Sequence, residues 1–114
     1  MALKPLSTKD IGEALEELRE WSFEFRLGRR LLIRQIDFRG MGFASESILL
    51  KFLSERVLPL AIHLKQYISF QFISKGVVKI EITTAEQNNH ITAKDIRFAR
   101  KFEEFAQKVA LRGK

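Results

Sequence analysis

The chain has 114 residues, 46% of them hydrophobic and none of them cysteine; this suits a single folded domain over residues 1–114 with a real core and excludes disulfides, a thiolate nucleophile and a cysteine metal site. No apolar run approaches the roughly 18 residues of a membrane span, and the opening MALKPLSTKD lacks the apolar stretch of a signal peptide, so a cytoplasmic protein is expected. The formal net charge of +6 favours an acidic partner, protein or nucleic acid.

Ser7 or Thr8 can cap a first helix, with Asp10 in its first turn and Ile11, Ala14, Leu15 and Leu18 recurring at helical spacing. The period then changes to two. Trp21, Phe23, Phe25 and Leu27 alternate with Ser22, Glu24 and Arg26 as a strand, and Gly28 makes a turn. A second strand runs from Arg30 to Arg39, with Leu32, Arg34, Ile36 and Phe38 on one face and Leu31, Ile33, Gln35 and Asp37 on the other. Gly40-Met41-Gly42 breaks it.

Ser45 caps a second helix whose stripe of Leu49, Phe52, Leu53, Val57, Leu60 and Leu64 is widened by Ile48, Leu50, Leu58 and Ile62. Such a helix is either deeply buried or packs its second apolar face on another subunit; in so small a domain the second is expected. Pro59 removes a backbone donor and should kink or interrupt it.

The stretch Gln66–Glu86 reads as two strands joined by a turn at Ser74-Lys75-Gly76, where glycine accepts a positive φ. A polar loop, Gln87-Asn88-Asn89-His90, follows. Thr92 then caps a last helix, with Asp95 reaching back toward its free amides and Phe98, Phe102, Phe105 and Val109 along one face. The order helix, strand, strand, helix, strand, strand, helix predicts an α+β fold: a four-stranded antiparallel sheet with helices on one face.

The inventory for chemistry is thin. His63 and His90 are the only histidines and lie in different elements, His63 as an ordinary helix residue and His90 as a solvated loop residue. No metal-ligand spacing, phosphate-cradling glycine loop or serine–histidine–aspartate pattern is present, so no metal and no cofactor are expected. Arg26, Arg29, Arg30, Arg34 and Arg39 concentrate charge on the first hairpin. Stacking aromatics among them would favour nucleic acid, but Phe23, Phe25 and Phe38 alternate as core residues, which makes nucleic acid an unlikely partner.

Several segments together resemble the pterin-4a-carbinolamine dehydratases, a family that also serves as a dimerisation cofactor for a transcription factor. These are Leu6-Ser7 with Leu15, Leu18 and Trp21; Gly28-Arg29 followed by Leu32 to Arg39; Val78-x-Ile80-x-Ile82-x-Thr84; and Ile91-Thr92-Ala93-Lys94-Asp95-Ile96 with Ala99 and Phe102. The resemblance covers most of the chain and implies the α-β-β-α-β-β-α fold, with the third strand at the sheet edge pairing with its copy in a homodimer. The stretch from Gly40 to Lys65 is longer than the family's.

The resemblance also locates a loss. The family carries a His-His-Pro motif before its third strand and a further histidine after the threonine that ends its fourth. Imidazole suits proton exchange at neutral pH because its ordinary pKa is about 6.5. Here Tyr67, Ile68 and Ser69 occupy the first motif, or Gln66, Tyr67 and Ile68 with the register shifted by one, and Ala85 the last position. A phenol beside an apolar isoleucine makes a poor acid/base pair. The expectation is a non-catalytic relative, resembling the pterin dehydratase-like factors encoded with α-carboxysomes that assist Rubisco assembly. This implies a Rubisco partner, the large subunit, with Arg29, Arg30 and Arg34 supplying attraction, and a place in the cytoplasm beside carboxysomes. The alternatives are a divergent dehydratase or pterin binder, and a transcriptional or nucleic-acid accessory.

Overall fold

The computed structural model describes residues 5–40, 42, 43, 45–74, 76–84 and 90–112. Met41, Lys75 of the expected turn and the loop residues Gln87, Asn88 and Asn89 lie outside them.

Ser7 caps α1 (Thr8–Glu17) by accepting from the Asp10 amide. The chain then enters β1 (Trp21–Arg26) and returns through Leu27-Gly28 as β2 (Arg29–Asp37). A helical stretch, α2 (Glu46–Phe52), a π-helical segment (Leu53–Val57) and α3 (Leu58–His63), leads to β3 (Tyr67–Ser74). The last hairpin is completed by β4 (Val77–Thr83), and α4 (Ala93–Arg112) ends the described chain. The four strands form one antiparallel sheet in the order β1-β2-β4-β3, so β3 and β1 are its edges. The expected α+β architecture is the one observed.

One face of the sheet carries the helices. Trp21, Leu32, Ile36, Val78, Ile80 and Ile82 share a single core with Ile11 of α1, Leu49 and Phe52 of α2, Val57 and Ala61 of the following turns, and Phe98 and Phe102 of α4. Aromatic rings join the layers: Trp21 meets Phe98 and Phe102 edge-on, and Phe38 meets Phe43, Phe52 and Phe102. Edge-to-face contacts add about 0.5–1.5 kcal/mol per pair beyond the area they bury.

The other face carries no described helix, yet Leu31 and Ile33 are buried there. Arg26 on β1 donates to Glu24 on its own strand and to Glu81 on β4, and β2 lies between β1 and β4. The arginine therefore crosses above β2, where the register sets Leu31 beside Glu24 and Ile33 beside Glu81. Its aliphatic stem shields the apolar pair while its head stays charged.

Pro59 interrupts the long helix as expected, by a local widening. The Leu58 amide bonds to the Leu53 carbonyl five residues back, a π turn that absorbs the helix defect just before the proline. Pro59 itself sits at the start of α3, where a missing amide hydrogen is tolerated. Leu50, Leu58 and Ile62 are exposed, so this chain does not itself cover the second apolar face of the helix.

The α3–β3 junction is a helix-ending motif with paired bonds, Lys65 amide to Ile62 carbonyl and Gln66 amide to Ala61 carbonyl. It requires a left-handed residue, and Lys65 supplies it at φ 55. Gly76, at φ 80, immediately precedes β4 and lies under Arg39, whose Cγ would lie 2.5 Å from an added Cβ. In urea unfolding, Lys65→Gly is expected to gain about 0.5–1 kcal/mol by relieving that backbone position, and Gly76→Ala to lose about 1–3 kcal/mol. An unchanged Gly76→Ala midpoint would contradict the packing described.

Candidate functional site

Three elements meet where α3 turns into β3, and a buried carboxyl group joins them. Asp95, in the first turn of α4 and fully buried, accepts from Gln66 Nε2 at 2.6 Å, from Thr84 Oγ1 at 2.6 Å and from the Thr92 amide at 2.9 Å. Thr84 and Thr92 also share a hydroxyl–hydroxyl bond of 2.7 Å. The reciprocal half of the cap is present, since the Lys94 amide donates to Thr92 Oγ1. Desolvation raises the Asp95 pKa above its ordinary 3.8 although its hydrogen bonds act against the shift. Gln66 Oε1 is buried with no donor among the described residues.

Tyr67, Ile68 and Ser69 begin β3 beside this cluster. By register, Tyr67 stands against Thr83, Ile68 against Ile82 and Ser69 against Glu81. Strand alternation therefore sends Tyr67 and Ser69 to the open face and Ile68 to the core side, where it packs against the buried cluster. The Tyr67 ring lies under the Arg29 guanidinium at 5.5 Å. No pair of proton-transfer groups converges among these three residues. Ala85 lies outside the described residues; its neighbour Thr84 is held by Asp95 and Thr92. A cavity of about 320 Å³ opens at the opposite end of the sheet between Phe38, Phe43, Ser45, Leu49 and Gly76. Its ionisable lining groups among the described residues are Arg39 and Glu46.

The hairpin arginines do not form one patch, contrary to the concentration expected from sequence, because neighbours on a strand point to opposite faces. Arg29 is on the open face. Arg34 faces α4, where Glu103 accepts from it at 2.9 Å and from Trp21 Nε1 at 2.9 Å; its side chain is only 12% exposed. That charge is committed inside the fold, which removes Arg34 from the surface available to a partner. Arg30 stacks over Phe25 at 5.1 Å and meets the His90 ring at 2.9 Å.

Two expectations are corrected here. Phe25 is not a core residue: it is 61% exposed near the end of edge strand β1, past the reach of the helices. His90 is not a solvated loop residue, since it bridges to Thr84 and is half-buried against Arg30. His63 is exposed in the last turn of α3, as an ordinary helix residue. No group of metal-ligating residues assembles among the described residues, and none of their helices is long and apolar enough to cross a membrane. Sequence spacing identified the Thr92–Asp95 cap, but not Gln66 and Thr84, whose separations from Asp95 carry no local signal.

No family model matches the chain, and no curated protein matches it. Among solved structures it is similar to the crystal structure of a transcriptional coactivator/pterin dehydratase from Brucella melitensis, with a TM-score of 0.69 and 24% identity over 90% of this chain and 99% of that one. The chain has the pterin dehydratase-like fold. At this identity the likeness establishes the architecture and leaves function to the residues.

Two outcomes test the Asp95 cluster. Asp95→Ala, which strands several buried donors, should lower unfolding free energy by about 2–4 kcal/mol. Because the folded pKa is raised, the folded state holds the proton more tightly, so Asp95 contributes most below pH 3.8 and that contribution is lost as pH rises through the folded pKa. The stability of the wild type relative to non-titrating Asp95→Asn should therefore fall as pH increases over that window; a difference independent of pH would contradict the assignment.

Proposed function

We propose that this chain is a non-catalytic binding protein on the pterin dehydratase-like scaffold, an assembly factor whose client is Rubisco, through its large subunit or assembly intermediates. The observation that carries the non-catalytic part is the occupancy of the expected proton-transfer positions on β3 by Tyr67, Ile68 and Ser69, whose side chains diverge across the sheet. Acid/base catalysis by positioned groups supplies about 10²–10⁴-fold for each role, and no such pair converges among these three residues.

What supports a binding role is surface that the fold leaves uncovered. Tyr67, Phe72 and Ile73 on edge strand β3 are exposed, as are Leu50, Leu58 and Ile62 on the helical stretch. An apolar edge strand invites a further strand unless it is covered, and exposed apolar patches mark interaction sites. A homodimer through β3 fits this edge, and a symmetric dimer presents each patch twice to a symmetric oligomeric client. The Rubisco assignment, and with it a place beside carboxysomes, rests on the resemblance of the degenerate motif. The net charge of +6 suits an acidic client, with Arg29 and Arg30 as the available hairpin charges.

Pull-down of Rubisco large subunits beside a nucleic-acid gel shift at matched salt tests this reading. Capture of the large subunit is expected, weakening as salt rises because charges on exposed surfaces are screened beyond about 10 Å at 0.1 M. Capture of nucleic acid without Rubisco would overturn it. In sedimentation, a dimer at micromolar protein is expected. Neighbouring strand amides point alternately outward, so of Phe70 and Gln71 the one whose amide faces away from β4 is the site where proline should weaken the dimer while leaving the β3–β4 ladder intact; a wild-type monomer would reject the edge interface.

A further inference from the structure

Among the described residues two non-glycines have positive φ, Lys65 and Leu27. The helix-ending motif accounts for Lys65. Leu27 has no such account. It forms, with Gly28 at φ 77, the two-residue connection between Arg26 and Arg29. Two positive φ values in a two-residue hairpin are the mark of a type I′ turn, which favours Asn-Gly and disfavours a leucine side chain at its first central position. The leucine is also 95% exposed, so it contributes nothing to the core. A strained backbone position holding an unburied apolar side chain points outward, to a contact made with something else.

The surroundings of Leu27 have a consistent chemistry. Phe25 stands beside it, 61% exposed. Arg29 and Arg30 follow it on opposite faces of β2, and neither meets a carboxylate among the described residues; each guanidinium is laid over an aromatic ring, Tyr67 or Phe25, and Arg30 also meets the His90 ring at 2.9 Å. Packing against a ring pre-orders a guanidinium and lowers the entropy lost when it takes up a partner. Arg26, by contrast, is already claimed by Glu24 and Glu81.

We infer that the β1–β2 hairpin tip is a docking knob, with Leu27 and Phe25 as apolar anchors and Arg29 and Arg30 as flanking cations. The occupant is an acidic amphipathic helix of a protein partner, an apolar row with carboxylates on both sides. This deepens the protein-partner reading above and rests on it. Leu27 decides between macromolecules: an aliphatic knob has neither a π face for a nucleobase nor a donor for a phosphate, whereas it fits between the apolar side chains of a helix.

The test is an amide-resolved NMR titration of the full chain with an amphipathic helical peptide of leucine and glutamate, and separately with a single-stranded oligothymidylate. Saturable shifts from Phe25 to Arg30 with the peptide are expected. Leu27→Asn installs the favoured Asn-Gly turn, so its melting temperature should rise by about 3–6 °C while peptide affinity falls at least about tenfold. Leu27→Gly, also suited to positive φ, should lose the peptide to the same extent. A stabilised variant that binds worse separates contact from folding.

Unchanged peptide affinity in both variants, no peptide binding, or shifts confined to α2, α3 or β3 would overturn the knob. Saturation by the oligothymidylate alone would also overturn it. Rubisco capture retained by Leu27→Asn would reject the tip and leave the assembly reading standing. Absence of Rubisco capture by the wild type would remove that client, and the peptide titration would still decide the tip.

Discussion

A single buried carboxyl fixes the end of the molecule that matters most. Asp95 ties the start of α4, the end of β4 and the α3–β3 junction through Thr92, Thr84 and Gln66. In a medium of low dielectric each of these bonds is strengthened, and each partner left without the carboxyl would carry a desolvation penalty. The cluster therefore specifies how β3 begins, and with it where Tyr67, Ile68 and Ser69 point. The burial that raises the Asp95 pKa is the same burial that makes the junction specific. Hydrogen bonds among Gln66, Thr84, Thr92 and Asp95 hold this end of the sheet together.

The rest of the surface follows from strand alternation and from the reach of the helices. Arg29 and Arg30 are adjacent in sequence and opposite in space. Arg34 shares the face of Arg30 but lies under α4, where Glu103 neutralises it. Apolar residues divide in the same way: those beneath the helices form the core, while Phe25, Phe72 and Ile73 lie on edge strands and remain open to solvent. A fold with one covered face and two free sheet edges leaves binding surface as a consequence of its architecture.

Periodicity in the sequence was enough for the elements and their order, because period two and period 3.6 alternate cleanly from Ile11 to Phe102 and the caps at Ser7, Ser45 and Thr92 are local signals. It failed where the answer depends on what lies above a strand. Phe25 has the spacing of a core residue, but it is exposed on an edge strand and packs under no described helix. Leu31 and Ile33 occupy the solvent-facing register, but the link from Arg26 to Glu81 covers them. The disturbance at Pro59 was foreseeable from the lost amide, whereas its form, a π turn beginning six residues earlier, depends on keeping Phe52, Leu53 and Val57 all buried. His90 read as loop because its neighbours are polar; its bridge to Thr84 is set by the tertiary fold. At the candidate site, the absence of histidine from the resembled positions was visible in the sequence, and the convergence of Gln66 and Thr84 on Asp95 was not.

The central claim is that this scaffold retains the dehydratase architecture without its proton-transfer chemistry. The most direct measurement is the rate at which the purified chain accelerates dehydration of a pterin-4a-carbinolamine, beside a histidine-bearing dehydratase under the same conditions. The account predicts a rate indistinguishable from the uncatalysed background; a rate comparable to that of the active enzyme would contradict it.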